Sequence, residues 1–280
     1  MNQRRSIFLI SSLAFGFAFL YIPILSLIFY SFNKSKLVTV WAGFSTKWYG
    51  TLIHNDEILS AALLSVKIAI MTASLAVILG TMVALVLTRF GRFRGRALLS
   101  GMATAPLVMP DVITGLSLLL LFVSMEQWFG WPRGRGVTTI TIAHATFCLA
   151  YVAVIVQSRL GSMDVSIEEA ALDLGAKPAK VFFVITLPII APALVSGWLL
   201  SFTLSLDDLV IASFVSGPGS TTLPMVIFSK VRLGVSPEIN ALATILILVV
   251  TMAVVAAGVI MNRQEKLRQR DVQQALQANE

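Results

Sequence analysis

The chain has 280 residues, 57% of them hydrophobic and only 12% charged, with a mean hydropathy of +0.86 and a formal net charge of +7. A soluble domain carries about twice that charged fraction, so a water-soluble globule is excluded and an integral membrane protein is expected. One cysteine, Cys148, excludes an intrachain disulfide framework and falls in an apolar stretch.

The first apolar run, Ile7 to Phe32, follows Arg4 and Arg5. It is too long for a signal peptide and no small-x-small cleavage site follows, so it reads as a retained spanning helix. Residues 33–57 form the longest loop beyond it and hold Trp41, Phe44, Trp48 and Tyr49. Such residues form an aromatic belt at the membrane interface; the other reading is part of a landing surface for an external protein. Further apolar runs follow at about 58–88, 97–124, 138–158, 189–215 and 239–261. Each reaches the roughly 20 residues that cross a hydrocarbon core as a helix. The expected fold is therefore all-α, with six transmembrane helices and both termini on one side. It divides into a first helix and loop (1–57), a five-helix core (58–262) and a polar tail (263–280).

Orientation follows from the basic residues. Of the 21 Lys and Arg, thirteen fall on the side of the termini, seven on the other, and Lys67 within a span. That bias places both termini in the cytoplasm, and with them the segment between the fourth and fifth spans. It also accounts for the positive net charge without a nucleic-acid partner. The Arg89–Arg96 cluster then reads as an anchor near anionic lipid.

Three carboxylates fall inside the spans. Asp207 and Asp208 lie in the fifth, and Asp111 lies in the third, just after Pro110. A carboxylate at mid-membrane costs about 2.5–3.5 kcal/mol on insertion scales, so these should face protein or water. Ser201, Ser205 and Asp208 share one helical stripe, and Asp207 points about 100° away. Two readings stand: the carboxylates line a path for a cation, or they cap broken helices and hold a helix interface. No basic residue is evident near them in the sequence. His144, on one face of the fourth span with Thr141 and Cys148, reads as a helix-packing residue.

The most mixed segment is Ser166–Pro188. Ser166 and Glu169 have capping-box spacing, Gly175 is placed to end a helix in a left-handed turn, and Pro178 suits the first turn of the next. Ile167, Ala170, Ala171 and Leu174 share one side, with Glu169 and Asp173 as an acidic edge. A short helix of this kind suits a groove on a partner.

Enzyme chemistry is missing. There is no G-x-x-x-x-G-K-[ST], no H-E-x-x-H and no Cys/His cluster, and there are only two histidines. The chain is expected to be a conduit, with no catalytic residue, metal site or cofactor of its own. An ion-gradient-driven carrier or channel for a small cation is one form that a conduit takes.

The residues also carry a resemblance. Glu169-Ala170-Ala171, Gly175, Ile185, Leu187 and Pro188 reproduce E-A-A-x3-G-x9-I-x-L-P, the cytoplasmic loop pattern of ABC-importer membrane subunits. Ser31–Trp41, Ala105–Gly115 and Ser205–Gly219 resemble the corresponding stretches of spermidine/putrescine importer permeases, of the putrescine-importer kind. One departure is Lys177, where the family often has a Thr that caps the second loop helix. The resemblance implies a type I permease fold in the bacterial inner membrane. It also implies a second, different permease subunit, a pair of ATP-binding subunits that supply the ATP site, and a periplasmic polyamine-binding protein. The loop, with Glu168, Glu169, Ala170, Ala171, Gly175, Ile185, Leu187 and Pro188, would couple the spans to the ATPase. Asp111, Asp207 and Asp208 are the candidate path residues.

Overall fold

The computed structural model describes residues 7–37, 40–233, 237–252 and 255. Helices account for its regular structure, and no strand occurs among the described residues. The chain forms two compact units, one drawn from residues 1–56 and 229–280, the other from 57–228.

In the first unit, α1 (Ile7–Ser31) is the expected first span, and α2 (Lys47–Ile53) lies in the loop that follows. The aromatic residues there do more than mark a membrane interface. Asn33 is buried, and its amide donates to the Val40 carbonyl at 2.7 Å and accepts from Ser35 and Ala42 N–H groups at 3.1 and 3.0 Å. The indole of buried Trp48 donates to the Asn33 carbonyl at 2.7 Å, and the Tyr49 hydroxyl bonds to Ser31 Oγ at 2.7 Å. Trp41 and Phe44 stay exposed, stacked on Phe29 and Phe32. Trp48 and Tyr49 thus shape the loop, because a buried Asn can fix a loop only when all its polar groups are matched.

The second unit is built around two long helices, α3 (Asp56–Arg89) and a later one, α6 (Val137–Gly161). Between them come α4 (Arg96–Thr104) and α5 (Asp111–Phe129). Among lipid tails apolar burial no longer drives helices together, so close backbone packing by small residues takes its place. Ala69, Ala73, Ala76, Gly80 and Ala84 recur three or four apart on α3 and all are buried. A Cβ at Gly80 would lie 2.7 Å from Val152 Cβ on α6, which explains a glycine in mid-helix.

The sequence predicts a third span over 97–124. The helix here is instead interrupted: α4 ends in a 3-10 turn at Ala105–Leu107, and α5 starts at Asp111 with Pro110 extended (φ −60°, ψ 137°) before it. Pro106 and Pro110 each remove an N–H, and the residue before a proline is pushed out of the helical region. The helix long and apolar enough to cross is Asp111–Phe129. Asp111 is therefore not in mid-helix. It is exposed in the first turn of α5, where a carboxylate suits the positive end of the helix dipole.

After α6 come α7 (Ser166–Asp173) and α8 (Pro178–Val181), then a π-helical turn, Phe182–Thr186, that runs into α9 (Leu187–Asp207). Pro188 cannot bond to the preceding turn and would clash with it, and the wider turn relieves both. The sequence predicts a fifth span to residue 215. The helix stops at Asp207 instead, Asp208 turns extended (ψ 126°), and the short α10 (Val210–Val215) follows. The packing of α10 on α5 is close: a Cβ at Gly115 would lie 2.7 Å from the Phe214 ring. The unit boundary falls inside α11 (Leu223–Leu233). The start of the sixth expected span is a helix, α12 (Pro237–Met252). The rest of that span, apart from residue 255, and the polar tail lie outside the described residues.

Candidate functional site

The loop helix α7 presents an apolar surface that nothing in the unit covers. Ile167 and Leu174, on the apolar side, are exposed, Leu174 to 90%; Leu172, on another side of the helix, is exposed too, and no residue of the helix is buried. Glu169, Ala170 and Asp173 are also exposed, and Ala171 is half-buried.

The helix ends as the sequence predicts and starts differently. Gly175 has φ +84°, the Gly175 N–H bonds to the Leu172 carbonyl at 2.8 Å, and the Ala176 N–H bonds to the Ala171 carbonyl at 3.1 Å. These are the two bonds of a Schellman turn, which requires a left-handed residue at this place. The capping box does not form. Ser166 is the first helical residue, and the Asp164 carboxylate takes its N–H at 3.0 Å. This bond holds the Asp164 carboxyl below the usual carboxylate range. Pro178 is at the first turn of α8, and Lys177 before it makes no side-chain cap bond.

Glu168 is placed unlike its neighbour Glu169. Its side chain is only 14% exposed and turns into the unit. Oε2 lies 2.8 Å from Arg89 Nε at the end of α3, and Oε1 accepts from the Thr186 hydroxyl at 2.5 Å. Thr186 is buried at the end of the π turn, between Ile185 and Leu187, which are half-buried; Pro188 is exposed. The loop residues and the start of α9 are thus brought together by one carboxylate.

The second polar centre is the break between α9 and α10. Asp208 Oδ1 accepts from the Ala212 N–H at 2.8 Å, capping α10, and lies 3.1 Å from Nε2 of buried His144 on α6. His144 Nδ1 meets Ser205 Oγ at 2.8 Å. An imidazole with its proton on Nε2 satisfies all three groups: it donates to the carboxylate and accepts from the hydroxyl. The expectation that no basic partner lies near is corrected here, because the partner is 64 residues away in the chain. Asp207 points elsewhere and is exposed at the end of α9, where helix carbonyls also face outward. No hydrogen bond or ion pair joins Asp111 to either residue among the described residues. Lys67 is exposed on α3.

Residues 76–270 match the family described as binding-protein-dependent transport system inner membrane component. The chain belongs to that family. As an inner membrane component of a transport system it is a permease subunit and not an enzyme. It is 64% identical over 271 residues to the putrescine transport system permease protein PotI of Escherichia coli K12, covering 97% of this chain and 96% of that protein. It is 44% identical over 256 residues to the spermidine/putrescine transport system permease protein PotC of the same strain, covering 91% and 94%. A chain of a bacterial ABC transporter involved in import of the acidic polysaccharide alginate shares the fold, with a TM-score of 0.71 at 17% identity over 92% of this chain and 97% of that one. A chain of the MetNI methionine ABC transporter, in inward-facing form, matches with a TM-score of 0.57 over 72% and 92%.

Sequence reasoning places the permease's loop helix and its C-terminal turn, and misses their bracing. Arg89 and Thr186 are read as an anchor and a motif spacer, and His144 as packing alone. A signal did exist for Glu168. It lies three residues before Ala171 and so shares that half-covered side of the helix, away from Glu169.

Proposed function

We propose that this chain is one of two different permease subunits of an ATP-driven importer for a polyamine, putrescine in the first place. The observation that carries the reading is the bare apolar face of α7 on a helix whose ends and inner side are fixed. Similarity over nearly the whole length to a putrescine permease supports the substrate. The Lys and Arg distribution supports a cytoplasmic loop and cytoplasmic termini.

In this reading two ATP-binding subunits grip α7 and its counterpart on the second permease subunit. ATP binding closes the ATPase pair, α7 moves with its cleft, and the path between the permease subunits opens outward to a periplasmic polyamine-binding protein. Hydrolysis returns it. The exposed faces of α5, including Val112, Ile113 and Leu120, meet the second subunit or lipid. Asp207, exposed at a helix end rich in outward carbonyls, is the path carboxylate best placed to meet an ammonium group in transit. Asp208 and Asp111 serve as a cap and a first-turn charge. Weak contact suffices, since tight binding slows release.

The test is co-purification from membranes in mild detergent, followed by putrescine uptake. Wild type is expected to bring down an ATPase and a second permease. Glu169→Lys and Gly175→Asp are expected to lose the ATPase; the latter places a side chain where the left-handed turn costs about 1–2 kcal/mol. A wild-type chain that purifies alone, even after gentle crosslinking, overturns the reading in favour of an ion-driven carrier.

A further inference from the structure

The contacts of Glu168 reach further than its own helix. Through Oε2 it holds Arg89, the last residue of α3, and through Oε1 it holds Thr186, the residue just before α9. Arg89 Nη1 also donates to the Leu160 carbonyl in the last turn of α6, at 3.4 Å. One carboxylate thus gathers the cytoplasmic ends of three long helices. The side chains of Arg89 and Glu168 are 20% and 14% exposed, so water screens the pair only in part.

The connections on either side of α7 make this junction matter. Residues 162–165 join it to α6, and 174–177 join it to α8. The backbone links this helix of eight residues to its neighbours only at its two ends. Side-chain contacts are needed to pass a displacement to α3 and α9, which it does not adjoin in the chain. A largely buried charge held by an ion pair on one side and a hydrogen bond on the other passes displacement to both partners, and a hydrogen bond to a charged group is shorter and about twice as strong as a neutral one. The π turn contributes by setting Thr186 against the carboxylate while Pro188 continues α9.

We propose that Glu168 is a positioning residue, and that the Glu168–Arg89–Thr186 junction is the strap that carries displacement of α7 into α3 and α9. Glu168 does this without touching the ATPase. The inference rests on the reading that α7 docks on an ATP-hydrolysing partner. It adds that docking and transmission use different faces of the same helix: Glu169 and the apolar residues outward, Glu168 inward.

The experiment uses the complete importer in proteoliposomes with its binding protein. It measures ATPase content, ATP hydrolysis and putrescine taken up per ATP. Glu168→Gln is expected to keep the ATPase bound and hydrolysing while uptake per ATP falls about fivefold to tenfold, the scale of a lost coupling. Thr186→Val is expected to lower the same ratio less. Exchanging the pair, with Glu168→Arg and Arg89→Glu together, is expected to recover part of it. A merely structural role lowers the yield of complex and leaves uptake per ATP unchanged, which overturns the strap. Loss of the ATPase from Glu168→Gln complexes also overturns it, by making Glu168 a docking residue. If Glu168→Gln does not accumulate, Thr186→Val decides by the same ratio, since it removes a hydroxyl at nearly constant volume. A wild-type complex without any ATPase sinks the docking reading instead, and is seen before any variant is compared.

Discussion

Two tandem pairs of carboxylates, Glu168-Glu169 in the loop and Asp207-Asp208 at the break after α9, are handled alike. In each pair one member turns inward to a basic side chain on another helix, Arg89 at 2.8 Å and His144 at 3.1 Å. Each inward member has a second bond, to the Thr186 hydroxyl in one case and the Ala212 N–H in the other. Each outward member, Glu169 and Asp207, is exposed. Consecutive residues on a helix point about 100° apart, so one of two neighbours can be committed to the fold while the other is left for a partner or a ligand. The pairs differ in where they sit. In the loop, water is available and an apolar surface is the unusual feature. At the end of a helix apolar enough to cross a membrane, apolar surface is ordinary and the exposed carboxylate is the unusual feature.

The sharpest way to break the parallel is to remove an inward partner. His144→Leu leaves the Asp208 carboxylate facing an apolar group, and a buried acceptor that loses its hydrogen-bond donor costs about 1–3 kcal/mol, more when it is charged. Thermal unfolding in detergent is expected to shift down markedly and transport to fall with it. If the variant is as stable as wild type, Asp208 is not held through His144 and the comparison fails.

The outward members are expected to behave in the opposite way. Leu174→Ser, on the bare face of α7, is expected to leave the unfolding midpoint in place and weaken ATPase binding by about 1–2 kcal/mol, read from titration of the detergent-purified permease pair. An unchanged affinity means that the ATPase grips another face. Asp207→Asn is expected to leave stability within about 0.5 kcal/mol, as for other exposed positions, and to lower the putrescine uptake rate a few-fold. Uptake at the wild-type rate, with normal assembly, removes Asp207 from the path.

How much of this was legible in the sequence follows from the range of each interaction. The first, second and fourth apolar runs, the loop helix and the left-handed Gly175 all depend on residues within a few positions, and these are found where the pattern puts them. The interruption at Pro106–Pro110 was signalled by two prolines, and the unbroken hydropathy of 97–124 concealed it. The break at Asp208 had no signal of that kind. It depends on His144, which arrives from another helix, and no periodicity reports a partner 64 residues away. The inward turn of Glu168 is intermediate: helix geometry separates it from Glu169, while Arg89 and Thr186 become its neighbours only after three helices have packed.

The smallest expected effect concerns the start of α7, where Asp164 replaces the expected Ser166 cap. Its carboxylate accepts the Ser166 N–H, and that bond favours the charged form and lowers its pKa. A group depressed in the folded state contributes stability above its ordinary unfolded value and loses it as pH falls through the lower, folded value. The contribution is therefore complete at neutral pH and disappears only in acid, below the usual carboxylate range. The residue is fully exposed, so solvent screens the gain. Asp164→Ala is expected to loosen the first turn of α7 at neutral pH, seen as faster amide exchange at Ser166, with ATPase binding nearly unchanged because the docking face starts at Ile167. Unchanged exchange at Ser166 would mean that backbone geometry alone starts the helix. A large loss of ATPase binding would move the docking surface toward the N-terminal end of α7, and with it the boundary between the outward and inward faces on which the parallel with Asp207-Asp208 depends.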